Sequence, residues 1–159
     1  MKVSNKDKIR EIADKYNITL TTANEIVDRY VVKCMYELLI GKRVEIQGLV
    51  NIVPQDERGG YVSTLAYMSK EIATEFGIPY NTVYYVLRDF IDGIKDDIMN
   101  GNDTEIRCLV QFHPVTKPNG DFTVHSNVSS SLATKVATPL RVHTHKLFRY
   151  QIRKLNYAN

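Results

Sequence analysis

No run of apolar residues in this 159-residue chain is long enough to span a bilayer, so a membrane-crossing helix is not expected. Cysteine is scarce, and the two that occur, Cys34 and Cys108, sit in unlike contexts: an apolar helical stripe and a strand-turn region. Two buried free thiols are expected rather than a disulfide or a metal pair. A phosphate loop, a glycine-rich dinucleotide turn and a nucleophile elbow are all missing. Acid is missing from the C-terminal segment. Residues 122–159 hold six Lys/Arg and no Asp or Glu, a net of +6, whereas residues 1–121 hold fifteen against eighteen, a net of −3. The start, Met1-Lys2-Val3-Ser4-Asn5-Lys6-Asp7, runs directly into a charged amphipathic pattern, unlike a secretory signal, so a protein of the cytoplasm or assembled there is expected.

With 43% apolar and 25% charged residues, the chain has material for one good core. Its chemistry-bearing residues do not converge. His143-Thr144-His145 would set two imidazoles on one face of a strand, with His125 as a third ligand, but Arg141, Lys146 and Arg149 beside them disfavour a bound cation. Asp92, Asp96 and Asp97 follow a helical period and read as a solvated face. No catalytic residue, metal site or cofactor is expected, and the chain does not read as an enzyme.

What the chain does contain is a repeat. Shifted by sixty residues it falls on itself without a gap: Ile12-Ala13 on Ile72-Ala73, Val27 on Leu87, Tyr30 on Phe90, Gly41 on Gly101, Leu49-Val50 on Leu109-Val110. A unit of that length makes no comfortable domain alone, so the two copies are expected to bury their apolar faces against each other as an intramolecular pseudo-dimer. In the first copy Ile9, Ile12, Ala13 and Tyr16 mark a short helix. Thr19 then caps a longer one carrying Ala23, Ile26, Val27, Tyr30, Cys34 and Leu38, which Gly41 ends. Val44-Ile46 and Val50-Ile52 read as two short strands around Gln47-Gly48. The second copy repeats the plan, with Val83, Leu87, Phe90, Ile94 and Ile98 on its long helix and strands at Thr104-Arg107 and Val110-Phe112.

Helix, break, long helix, glycine and a strand pair with Val-x-Ile-x-Gly-Leu-x-x-Ile at Val44 to Ile52 resembles the subunits of HU and integration host factor. The resemblance implies an α+β fold, a tandem duplicated HU/IHF-like arrangement with interlocked long helices beneath a saddle of strands. The alternative is a generic α+β domain whose helical repeats merely look alike. The division expected is a first repeat at 1–53 lacking arm and third helix, a linker at 54–67, and a second repeat at 68–159. In the second repeat Val115 to Phe122 makes a hairpin turn similar to the family's DNA-gripping arm tip, with Lys117 and Pro118 at its end, but too short to reach around a duplex.

Two roles are open. Fold and tandem arrangement resemble the IHF-like proteins of crAss-like bacteriophages, some of which belong to the rings between portal and tail, and the lost or shortened arms favour that role over DNA bending. That resemblance implies a virion protein, assembled in the host cytoplasm, that contacts portal, adjacent ring or tail proteins and copies of itself. The other role is an architectural DNA-binding protein, with Lys117, Pro118, Lys135, Arg141, Lys146, Arg149, Arg153 and Lys154 as partner or phosphate contacts and Tyr150 or Tyr157 stacking on bases. Val124 to Thr138 is expected to be a mobile loop or an added strand in a free protein, and in an assembly to augment a neighbour's sheet edge. The tail stripe of Leu147, Phe148, Ile152 and Leu155 is expected to dock on an adjacent protein with an acidic rim.

Overall fold

The computed structural model describes residues 1–158, with side chains described through Asn156. Its elements run α1 (Asn5–Lys15), α2 (Leu20–Leu39), β1 (Val44–Ile46), β2 (Val50–Pro54), α3 (Leu65–Phe76), α4 (Tyr80–Met99), β3 (Thr104–Ile106), β4 (Val110–Thr116), β5 (Phe122–Val128), α5 (Ser130–Lys135), β6 (Leu140–Thr144) and α6 (Lys146–Ala158). The chain is thus mixed α and β, with two three-stranded antiparallel sheets, β1-β2-β6 and β3-β4-β5.

Local chemistry sets the helix ends, and sets them twice. Ser4 and Thr64, sixty apart, accept from the backbone N–H groups of Lys6 and Tyr67, and each opens a first helix. Thr19 caps α2 by accepting from Thr22, while its counterpart Pro79 has no donor to lose at the start of α4. Left-handed backbone also recurs at the sixty-residue spacing: Asn17 (φ 54°) with Gly77 (φ 64°), Gly41 (86°) with Gly101 (78°), Gly48 (68°) with Cys108 (70°). The first two pairs end helices. The third turns β1 into β2 and β3 into β4, where Leu49 and Leu109 donate back to Ile46 and Ile106 at 2.8 and 2.9 Å. Helix α3 begins at Leu65, so the connection between copies is shorter than the 54–67 expected.

Helices α2 and α4 pack on each other, and Ile26, Val27, Tyr30, Cys34 and Leu38 are buried in one continuous core with Val83, Leu87, Phe90, Ile94 and Ile98. Burial of this many aliphatic side chains, each contributing about 1.5–3 kcal/mol, is the main force holding the two copies together.

The C-terminal segment departs from expectation. Residues 1–53 do lack a third strand and helix of their own, but β6 and α6 supply them. Strand β6 pairs with β2 (Val50↔Thr144, Ile52↔Val142, Pro54↔Leu140) in the register in which β5 pairs with β4 (Val110↔Val128, Phe112↔Ser126, Pro114↔Val124). Residues 122–136 and 138–152 are therefore a second repeat, offset by sixteen residues. His145 N–H donates to Leu49 at 2.8 Å where Ser129 N–H donates to Leu109 at 2.9 Å, and buried Phe148 and Ile152 stand where Leu132 and Val136 do. Each half reads helix, helix, three strands, helix. One half is continuous, residues 65–136, and the other is built from residues 1–54 and 140–158.

Two expectations about assembly are corrected by this. Of the alternatives for Val124 to Thr138 the added strand is the one found, and it adds to the chain's own sheet rather than a neighbour's: β5 fills the open edge of β4, and Leu132 on α5 is buried. The tail stripe does not dock outside, because Phe148 is 1% and Ile152 8% exposed inside the core of the same chain. Asn156 fixes the far end of α6. Its Oδ1 accepts from Phe122 N–H at 2.8 Å and its Nδ2 donates to Phe122 C=O at 3.2 Å, tying the helix to the first residue of β5.

Candidate partner interface

Burial of Phe148 and Ile152 decides what the rest of α6 presents. At 100° per residue, Lys146, Arg149, Tyr150, Arg153 and Lys154 fall on the opposite side, and all five are exposed. Lys154 Nζ lies 5.8 Å from the Tyr150 ring centroid, within cation–π range. Arg141 projects from the outer face of β6, Lys135 closes α5, and Lys117 and Pro118 occupy the five-residue turn between β4 and β5. All these residues are exposed. Tyr157 lies outside the residues whose side chains are described.

None of Lys117, Lys135, Arg141, Lys146, Arg149, Arg153 and Lys154 comes within ion-pair distance of a carboxylate among the described residues. By contrast, nine cations of the first 121 residues do, including Lys33 with Glu75 at 2.6 Å and Arg43 with Glu57 at 2.7 Å. An unpaired, solvated cation keeps its charge available to an anionic surface, whereas a paired one must first break a contact.

The acidic helix is less free than its sequence suggests. Asp92 and Asp96 are exposed, but Asp97 is bound by Lys8, and Asp89 accepts from Tyr16, from Lys15 at 2.9 Å and from Arg88 at 3.2 Å. Burial alone would raise the Asp89 carboxyl, but hydrogen bonds from Tyr16, Lys15 and Arg88 outweigh it and hold the group below its ordinary value. These carboxylates bolt α1 to α4.

The histidines do not form the arrangement expected of a His-x-His pair. His143 lies on the outer face of β6 opposite Asn51, and His125 lies in the other sheet opposite His113. His145 follows the strand and caps α6: Leu147 N–H donates to its Nδ1 at 3.1 Å, while its Nε2 lies 3.1 Å from Glu45 Oε1. Accepting at Nδ1 leaves the proton on Nε2, so both ring atoms are spent on the fold. The thiols are also separate. Cys34 is buried beside Tyr30, where desolvation pushes it up to about 12, and Cys108 is half-buried in its turn.

The outer faces of the sheets carry little charge. Across β1, β2 and β6 they present Glu45, Asn51, Val53, Arg141 and His143; across β3, β4 and β5 they present Glu105, Gln111, His113, Val115, Thr123, His125 and Asn127. The cations gather at α6 and the edges instead. The sequence displays the cations but not their platform, whose signal is the sixteen-residue spacing of Leu132 and Val136 onto Phe148 and Ile152. No helix among the described residues is long and apolar enough to cross a membrane. Comparison with protein-family models gives no match, and none is found among curated proteins.

Proposed function

We propose that the chain is an assembly protein rather than an enzyme: a tandem HU/IHF-like brick of a tailed-phage virion, set in a ring at the portal-tail junction. The observation that carries the proposal is the position of the basic charge. Seven exposed cations, without carboxylate partners among the described residues, lie on α6, the end of α5, β6 and the β4–β5 turn. The outer sheet faces, which a duplex would have to follow, hold Arg141 against Glu45 and Glu105. A protein that bends DNA needs phosphate contacts along that saddle and arms that reach round it. Here β4 and β5 stop pairing at Thr116 and Phe122, and the turn beyond them is five residues long. A basic helix with Tyr150 at its centre suits an acidic protein surface, because charge steers the encounter and the aromatic ring supplies contact area.

Architectural DNA binding is the second reading, favoured by the same unpaired cations. One variant separates the two: Arg149→Gln, Arg153→Gln and Lys154→Gln together. In the assembly role the folded variant fails to enter particles while wild type enters. Normal incorporation of the variant would remove α6 as the contact, and loss of DNA binding alone would favour the second reading.

A further inference from the structure

The internal repeat provides a control that a single-copy fold lacks, because each surface position of one half has a counterpart on the same scaffold in the other. On the outer side of α2, Val32 and Tyr36 are 54% and 61% exposed, and Tyr67 on α3 is 57% exposed across the cleft from them. Their counterparts sixty residues away are Asp92, Asp96 and Asp7, all exposed. The fold therefore does not require apolar residues at these positions; one half solvates them with carboxylates. Between α2 and α3 they line a cleft of about 770 Å³, to which Tyr61, 93% exposed, also contributes. An exposed apolar cleft rimmed by polar residues marks an interaction site.

We infer that this flank binds the same flank of a second copy, giving a two-fold pair. Charge and area choose that occupant. The rim holds Arg29, Lys33 and Lys42 with Glu37 and Glu71, and Glu75 beside it balances the third cation by pairing with Arg29 at 3.4 Å and Lys33 at 2.6 Å. It is neutral and carries both signs, so two copies meet without net repulsion and can exchange partners across a two-fold axis. The α6 face, with cations alone, would repel its own copy. Three tyrosines, Val32 and the half-exposed Leu39 offer on the order of 500 Å² of side-chain surface per chain. Two copies would cover on the order of 1,000 Å², the lower bound of a specific interface. A two-fold contact closes on itself and is not the contact that builds a ring, so the pair goes beyond the assembly reading; it rests on α2 and α3 alone, and the α6 variants test that reading separately.

The test is the mass of the full chain by sedimentation equilibrium at roughly 100 micromolar, with wild type, Val32→Asp/Tyr36→Asp, and Tyr61→Ser/Tyr67→Ser. The first double variant installs the residues that α4 already carries at the equivalent positions, and the second removes the facing wall without adding charge. The expected result is two chains for wild type and one for both variants, with helical circular dichroism unchanged. A wild-type mass of one chain overturns the inference, as does a mass above two or any association that both variants retain. Should one variant lose its helical signal, the other decides.

Discussion

His145 and Leu49, ninety-six residues apart, share a 2.8 Å backbone hydrogen bond that repeats the one between Ser129 and Leu109. The C-terminal segment thereby becomes the closing piece of the first half of the molecule. Its inner side chains belong to the core, and its outer ones, Lys146, Arg149, Tyr150, Arg153 and Lys154, are exposed.

Phe148 and Leu147 are adjacent, but one is 1% and the other 62% exposed. Phe148→Ala is expected to cost about 3–5 kcal/mol through the cavity it leaves, and Leu147→Ala less than about 0.5 kcal/mol. Urea unfolding of the two variants measures the difference. Equal costs would mean that α6 does not dock as described.

Leu87 is fully buried in the core that α2 and α4 share. Leu87→Ala is expected to lower stability by about 2–5 kcal/mol in a single transition, since both halves contribute to one core. Two separated transitions would show halves that fold independently.

Asp89 makes stability depend on acid. Its folded carboxyl titrates below its unfolded one, so its contribution is complete above the unfolded value, about 3.9, and is lost as pH falls toward the folded value. Thermal melts between pH 5 and pH 2.5 should show a shallower acid decline for Asp89→Asn than for wild type. Parallel declines would mean that the Tyr16 and Lys15 contacts contribute nothing in solution.

The sixty-residue repeat is legible in the sequence because both copies keep apolar positions at helical spacing and place left-handed residues at the same points, Gly41 with Gly101 among them. The sixteen-residue repeat is not. Its helix positions keep apolar pairs, Leu132 with Phe148 and Val136 with Ile152, but its strand exchanges polar for apolar at Ser126 with Val142 and Val128 with Thr144, and a unit that short has too few positions to stand out. Periodicity also identifies a strand without naming its partner, and the partner of β6 lies some ninety residues upstream. The amphipathic stripe of α6 is therefore a docking face, as its spacing suggests, but the groove it fits lies in its own chain rather than in another protein. His145 reads as a strand residue for a related reason: a residue's role as a cap depends on where the helix starts, which a His-x-His spacing does not reveal.

The charge on α6 should also leave a mark on any nucleic-acid binding. If these residues meet phosphates, neutralising Arg149, Arg153 and Lys154 would flatten the dependence of log affinity on log salt by up to about 2.7, near 0.9 for each phosphate no longer neutralised. A slope that does not change would place any DNA contact elsewhere on the molecule.

The most direct test of the assembly role is a titration of the wild-type chain with duplex DNA from about 50 to 200 millimolar salt, read by fluorescence anisotropy and by an end-to-end distance probe for bending. An assembly protein whose sheet faces carry so little positive charge is expected to bind weakly at low salt, to release the duplex at physiological salt and never to bend it. Micromolar or tighter binding at physiological salt, with bending, would contradict the account and make the chain an architectural DNA-binding protein.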